Sequence, residues 1–124
     1  MQEAPTGDAA IAARKSAEAE AAMSTYRERT AAQRRKAAAV AEATAPDSPE
    51  TAGELYLLSL YLARQGEIDE AATIAEDAYA IQARTIGRDH ADTRASLYQL
   101  AAMLRREAEV RPAADTAPSE HVGA

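Results

Sequence analysis

Residues 47–72, DSPETAGELYLLSLYLARQGEIDEAA, decide the fold, because residues 89–114, DHADTRASLYQLAAMLRREAEVRPAA, repeat them at an offset of 42. Ten of the 26 aligned positions are identical. Asp47 lies over Asp89, Thr51 over Thr93, Leu55-Tyr56 over Leu97-Tyr98, Leu58 over Leu100, Leu62 over Leu104 and Arg64 over Arg106. Glu67 lies over Glu109 and Ala71-Ala72 over Ala113-Ala114. In a chain with 34 alanines an Ala match is cheap, but matches at Leu, Tyr, Asp, Thr and Arg are not. Within the first copy, Leu55, Leu58 and Leu62 fall at i, i+3 and i+7, one apolar stripe of a helix. Gln65-Gly66 stops that helix, and Asp69 is placed to cap a second one. The apolar side of the second helix is Ala71, Ala72, Ile74, Ala75, Ala78 and Ile81.

Working outward, Ala45-Pro46-Asp47-Ser48-Pro49-Glu50 breaks the chain before this hairpin, with Ser48 as N-cap and Pro49 at the first helical position. Ile86-Gly87 ends the second helix, and Gly87 suits a left-handed C-terminal residue. A third helix follows from about Ala91 to Glu107, with Leu97, Leu100, Met103 and Leu104 expected on its buried side. Upstream, residues 9–44 hold no Gly or Pro and read as one long Ala-rich helix with Asp8 as its N-cap. Positions 12, 16, 19, 23, 26, 30, 33, 37, 40 and 44 form a weak seam of mostly small residues on it. The seam predicts that this helix leans on the rest through Met23, Tyr26 and Val40. Residues 1–8 and 117–124 are expected to be disordered.

Composition sharpens this picture. Of the 47 % hydrophobic residues, more than half are alanine, and Phe, Trp and Cys are absent. Alanine favours helix but buries little area, so the sequence predicts an all-α fold with a thin core. No stretch alternates β-branched and aromatic residues as a strand would. The lack of Cys excludes disulfides and Cys-ligated zinc. No apolar run is long enough to span a membrane. The acidic, polar start carries no secretory signal, which places the chain in the cytoplasm as it stands, or in an exported compartment if Met1 replaces a removed signal peptide. The net charge of −6 does not suit a global nucleic-acid binder.

The repeat resembles the tetratricopeptide repeat (TPR), in the 42-residue form of kinesin-light-chain-like arrays and their bacterial relatives. Leu55, Leu58, Ser59, Leu62, Gly66, Ile68, Ala71, Ala75 and Ala78 carry the resemblance, and Ile86-Gly87-Arg88-Asp89-His90-Ala91-Asp92-Thr93 resembles the inter-repeat turn. Ala91 stands where the family often has Pro after the His, whereas the other copy has Pro49 there. Small residues at these positions let helices approach to about 8–10 Å. About one and a half hairpins lie within residues 47–116. Pro118 falls where the first copy has Glu76, so the last helix is expected to be truncated or frayed. Since about three repeats are usually needed for stability, the long helix or a second copy of the chain is expected to complete the stack.

The resemblance implies protein–protein interaction, with a peptide or helix docked on a concave groove lined by the first helix of each hairpin. Transferred by position, that face carries Tyr56, Leu60 and Arg64, then Tyr98, Arg105 and Arg106. The other reading packs Tyr56 and Tyr98 under the N-terminal helix and leaves the arginines solvated. A second function class is structural self-association, through the Ala-rich helix or the open end of the array. Contact with nucleic acid through the basic residues of 27–36 (Arg27, Arg29, Arg34, Arg35 and Lys36) is the least supported, for want of interleaved aromatics. Asp89, His90 and Asp92, and equally Glu67, Asp69 and Glu70, read as helix-start residues rather than metal ligands. No catalytic residues, metal or cofactor are expected: the chain has no Cys nucleophile, Gly-rich phosphate loop or Ser-His-Asp arrangement.

Overall fold

The computed structural model describes residues 7–110. Four helices account for most of them: α1 (Gly7–Ala43), α2 (Pro49–Gln65), α3 (Ile68–Thr85) and α4 (Ala91–Val110), with no strand among the described residues. The fold is therefore all-α. The disorder expected of residues 1–8 does not hold for Gly7 and Asp8, which open α1, while residues 1–6, the tail 117–124 and the second helix of the second copy lie outside the described residues.

The stop and start signals work through hydrogen bonds that satisfy helix-end backbone groups. The Ser48 side chain accepts from the Thr51 backbone N–H at 3.1 Å, and Pro49 opens α2. Gly66 ends α2 in the left-handed conformation at φ 91°, where its N–H and that of Glu67 return to Ala63 and Leu62 carbonyls. Gly87 is left-handed too, at φ 93°. Two expected caps are displaced by a residue or two. Asp8 lies within the first turn of α1, which begins at Gly7, and Asp69 lies within the first turn of α3, which begins at Ile68. A carboxylate in a first turn still complements the helix dipole, so the charge is useful without being the cap.

The repeat offset is visible in the element bounds. α2 begins at Pro49 and α4 at Ala91, while α1 ends at Ala43 and α3 at Thr85. α1 packs on α2, α2 on α3, and α3 on α4, with a smaller contact between α2 and α4. The second half of α1 thus lies against α2 as α3 lies against α4, the neighbour role expected of the long helix. Its contact face is Tyr26, Thr30, Gln33, Ala37 and Val40, the C-terminal part of the predicted seam. Gln33 donates from its amide to the Glu54 carbonyl at 2.9 Å. From Gly7 to Ala22 every residue is exposed, and Met23 is 36 % exposed, so the lean begins only at Tyr26.

Among the described residues, seven of the twelve buried hydrophobics are alanines, and the main cluster is Leu58, Leu62, Ala63, Ile68, Ala71, Ala72 and Met103. Ser59 sits where three helices meet. It is fully buried, donates to the Ala71 carbonyl at 2.8 Å, and accepts from the Gln99 amide at 3.2 Å. Only a small side chain lets α2 and α3 approach closely, and a hydroxyl there also needs partners. Buried Gln82 and Ser96 hydrogen-bond to each other between α3 and α4.

The expected buried side of α4 needs correction. Met103 is 4 % exposed, but Leu97 is 42 % and Leu104 51 % exposed, and Leu100 is half-buried. α4 turns Thr93, Ser96 and Met103 toward α3, so its leucines lie on the flank of the contact. α4 also runs on to Val110, past the expected end at Glu107.

Candidate functional site

The residues placed on a partner-binding face fall on the two helices that begin the repeat copies. On α2, Tyr56, Leu60 and Arg64 recur every four residues and so share one side of the helix. Leu58 and Leu62, buried on another side, fix the rotation of α2 and thereby the direction of this row. Tyr56 and Leu60 are half-buried. Arg64 is exposed, but it is engaged by α1: its guanidinium lies 6.0 Å from the Tyr26 ring centroid, and Nη1 is 3.5 Å from the Tyr26 hydroxyl. Such a cation–π contact at an exposed site contributes about 0.5–1 kcal/mol.

On α4, Tyr98, Arg105 and Arg106 are all exposed, Tyr98 to 70 %. Tyr98 therefore does not pack under the N-terminal helix. Tyr98 and Arg106 hold the positions of Tyr56 and Arg64 in the other copy. Arg105 does not belong to that row, since its equivalent is Ala63, which is buried in the main cluster. The Gln99 amide reaches both the carbonyl and the hydroxyl of Ser59, so α4 runs beside α2 and the two rows occupy neighbouring helices.

The basic residues of α1 do not make one patch. Arg34 forms a two-contact pair with Glu70 of α3, at 2.6 and 2.7 Å. The hydrogen bond between them lowers the Glu70 pKa and raises that of Arg34. Lys36 lies 3.3 Å from Glu54 of α2. Arg27, Arg29 and Arg35 remain exposed, and their spacing spreads them around the helix. The Asp89–Asp92 turn is a helix start, as read from the sequence. His90 Nδ1 accepts from the Asp92 N–H at 3.0 Å, the capping job that Ser48 does 42 residues earlier. Among the described residues no three His, Cys, Asp or Glu side chains gather as a metal site.

Sequence reasoning missed an open apolar groove of about 390 Å³ between α1 and α2. Ala37, Ala38 and Ala41 form one wall, Leu55 and Leu58 the other, and Pro46 closes an end. The available signal was the run of alanines on α1 opposite the Leu55/Leu58 stripe. No family model matches the chain, and no curated protein matches it. No helix among the described residues is long and apolar enough to cross a membrane.

Proposed function

We propose that this chain is a protein-binding module of TPR-like construction that holds a peptide or helix across α2 and α4. The observation that carries the reading is that two repeat-equivalent rows, Tyr56/Leu60/Arg64 and Tyr98/Arg106, lie on neighbouring helices. Tyrosine and arginine supply much contact energy in interfaces, because a ring buries area at small entropic cost and a guanidinium forks onto carboxylates. Tyr98 stands 70 % exposed among the described residues. A bound segment would be acidic toward Arg64 and Arg106 and apolar toward Leu60 and the tyrosines, with Arg105 at the edge of its footprint.

The test is a peptide array of acidic and acidic–aromatic segments, with hits measured by fluorescence anisotropy. Tyr98→Ala combined with Arg106→Glu should weaken a hit at least tenfold and leave the circular dichroism spectrum unchanged. Capture that is indifferent to this pair and to Tyr56→Ala would remove the groove reading.

A further inference from the structure

α1 has the length and register of a whole hairpin drawn out straight. It has 37 residues, as many as α2, the turn at 66–67 and α3 together, and it starts and ends 42 residues before that hairpin does. Residues 26–43 correspond to α3, and they pack on α2 from Tyr26 onward, as α3 packs on α4. Residues 7–23 correspond to α2, yet every one of them is exposed. The difference lies at the turn. Ser24 stands where Gly66 is left-handed at φ 91°, and the Thr25 hydroxyl donates to the Ala21 carbonyl at 3.1 Å inside one unbroken helix. A side chain in the left-handed region is strained, which favours the straight course. Residues 7–23 therefore form an arm that cannot fold back on its own chain without breaking α1.

The place such an arm would take in the array is identifiable. α4 reaches α2 through Gln99, whose amide touches the Ser59 carbonyl and hydroxyl, and through Met103 in the main cluster. On α2 the positions equivalent to Gln99 and Met103 are Leu57 and Tyr61. Leu57 is left 38 % exposed, and among the described residues no helix stands to α2 as α2 stands to α4. α1 offers a matching face beside it. Positions 11, 15, 18, 22, 25, 29, 32 and 36 recur at alternating steps of four and three, the spacing of a helix-pairing seam. All eight are exposed, and 29, 32 and 36 each lie one residue before Thr30, Gln33 and Ala37, which pack on α2.

We propose that two copies of this chain exchange these arms, their α1 helices antiparallel about a two-fold axis between residues 23 and 24. The seam is self-complementary in charge and size under that operation. Glu18 meets Arg29 of the second copy, twice by symmetry, so opposite charges face each other. Ile11 meets Lys36, whose methylene stem can cover it while the ammonium stays in water. Lys15 meets Ala32, and Ala22 meets Thr25, small residues that let the axes approach closely. No two like charges on the seam are opposed. The repeat gives nearly the same register independently. The Ser59 hydroxyl donates to the Ala71 carbonyl across the α2–α3 hairpin. The residues 42 positions earlier are Ala17 and Arg29, one residue from the Glu18–Arg29 pairing. In that register Ala17 of the second copy lies over Leu57, as Ser59 lies over Gln99. An exchange of identical elements is isologous, so it closes as a dimer and does not propagate. The inference does not rest on the peptide-binding reading, since none of the seam residues belongs to the rows on α2 and α4.

The test is analytical ultracentrifugation of the full chain from low micromolar to millimolar concentration, joined to cysteine cross-linking in a chain that has no cysteine of its own. A concentration-dependent dimer is expected. Glu18→Arg and Arg29→Glu should each weaken it at least tenfold with unchanged helicity, since both residues are exposed in the single chain. The two substitutions in one chain restore opposite charges and should restore the dimer. Mixing Glu18→Cys with Arg29→Cys chains should give a covalent dimer under mild oxidation. Either variant alone should not, because like positions lie about 16 Å apart along the axis at 1.5 Å per residue. A monomer at every concentration overturns the proposal, and so does a dimer that neither charge reversal weakens. Cross-linking of Glu18→Cys to itself overturns the antiparallel register. Tyr98→Ala with Arg106→Glu should leave the dimer intact, so failure of the peptide reading and failure of the exchange are read separately.

Discussion

Leu62 and Leu104 are the same residue at the same repeat position, but 0 % and 51 % exposed. Truncating each to alanine should separate what burial contributes from what sequence contributes. Leu62 sits among Leu58, Ala63, Ile68, Ala71, Ala72 and Met103. Three of these six neighbours are alanines on helix backbones, which have no long side chains to swing into the void. Such a site relaxes little, so Leu62→Ala should cost about 3–4 kcal/mol, within the range for buried leucine truncation. Leu104→Ala removes a half-exposed side chain. At about 0.8 kcal/mol per fully buried methylene, its loss is about 1 kcal/mol, part of it offset by the better helix propensity of alanine. The pair should therefore differ by about 2–3 kcal/mol. Urea unfolding followed by far-ultraviolet circular dichroism measures this. An unchanged m-value validates the comparison. Equal losses at the two sites would refute the reasoning, since they would mean that Leu104 is covered within a single chain.

Two further outcomes follow from the helix ends and the surface pairs. Gly66→Ala should cost about 1 kcal/mol by thermal or urea unfolding, purely from the left-handed backbone, because nothing lies within 4 Å of the added carbon. The Glu70 pKa is lowered by Arg34, so the pair's contribution is complete above the ordinary carboxylate value of 4.5 and is lost as pH falls through and below it. Because both side chains are 40 % or more exposed, that loss should be no more than about 0.5 kcal/mol, and a double-mutant cycle of Arg34→Ala and Glu70→Ala at neutral pH and in acid measures it.

The sequence by itself determined what is local. Ser48 with Pro49, Gly66 and Gly87 set helix boundaries because a cap or a left-handed residue is a property of a few consecutive residues. The 42-residue repeat and the small residues at Ser59, Ala71, Ala75 and Ala78 identified helices that must come close, and those residues are fully buried. The tertiary structure decided which face of each helix is covered. A helical stripe shows only that leucines share a side, and coverage depends on whether another helix reaches it. α3 reaches Leu62, whereas no described element covers Leu104. It also decided that only the C-terminal part of the α1 seam packs, through Thr30, Gln33 and Ala37, while Met23 of the same seam stays exposed. Likewise Arg64 and Arg34, which read as free cations, are committed to Tyr26 and Glu70, because ion and cation–π pairs join residues 36 or more apart.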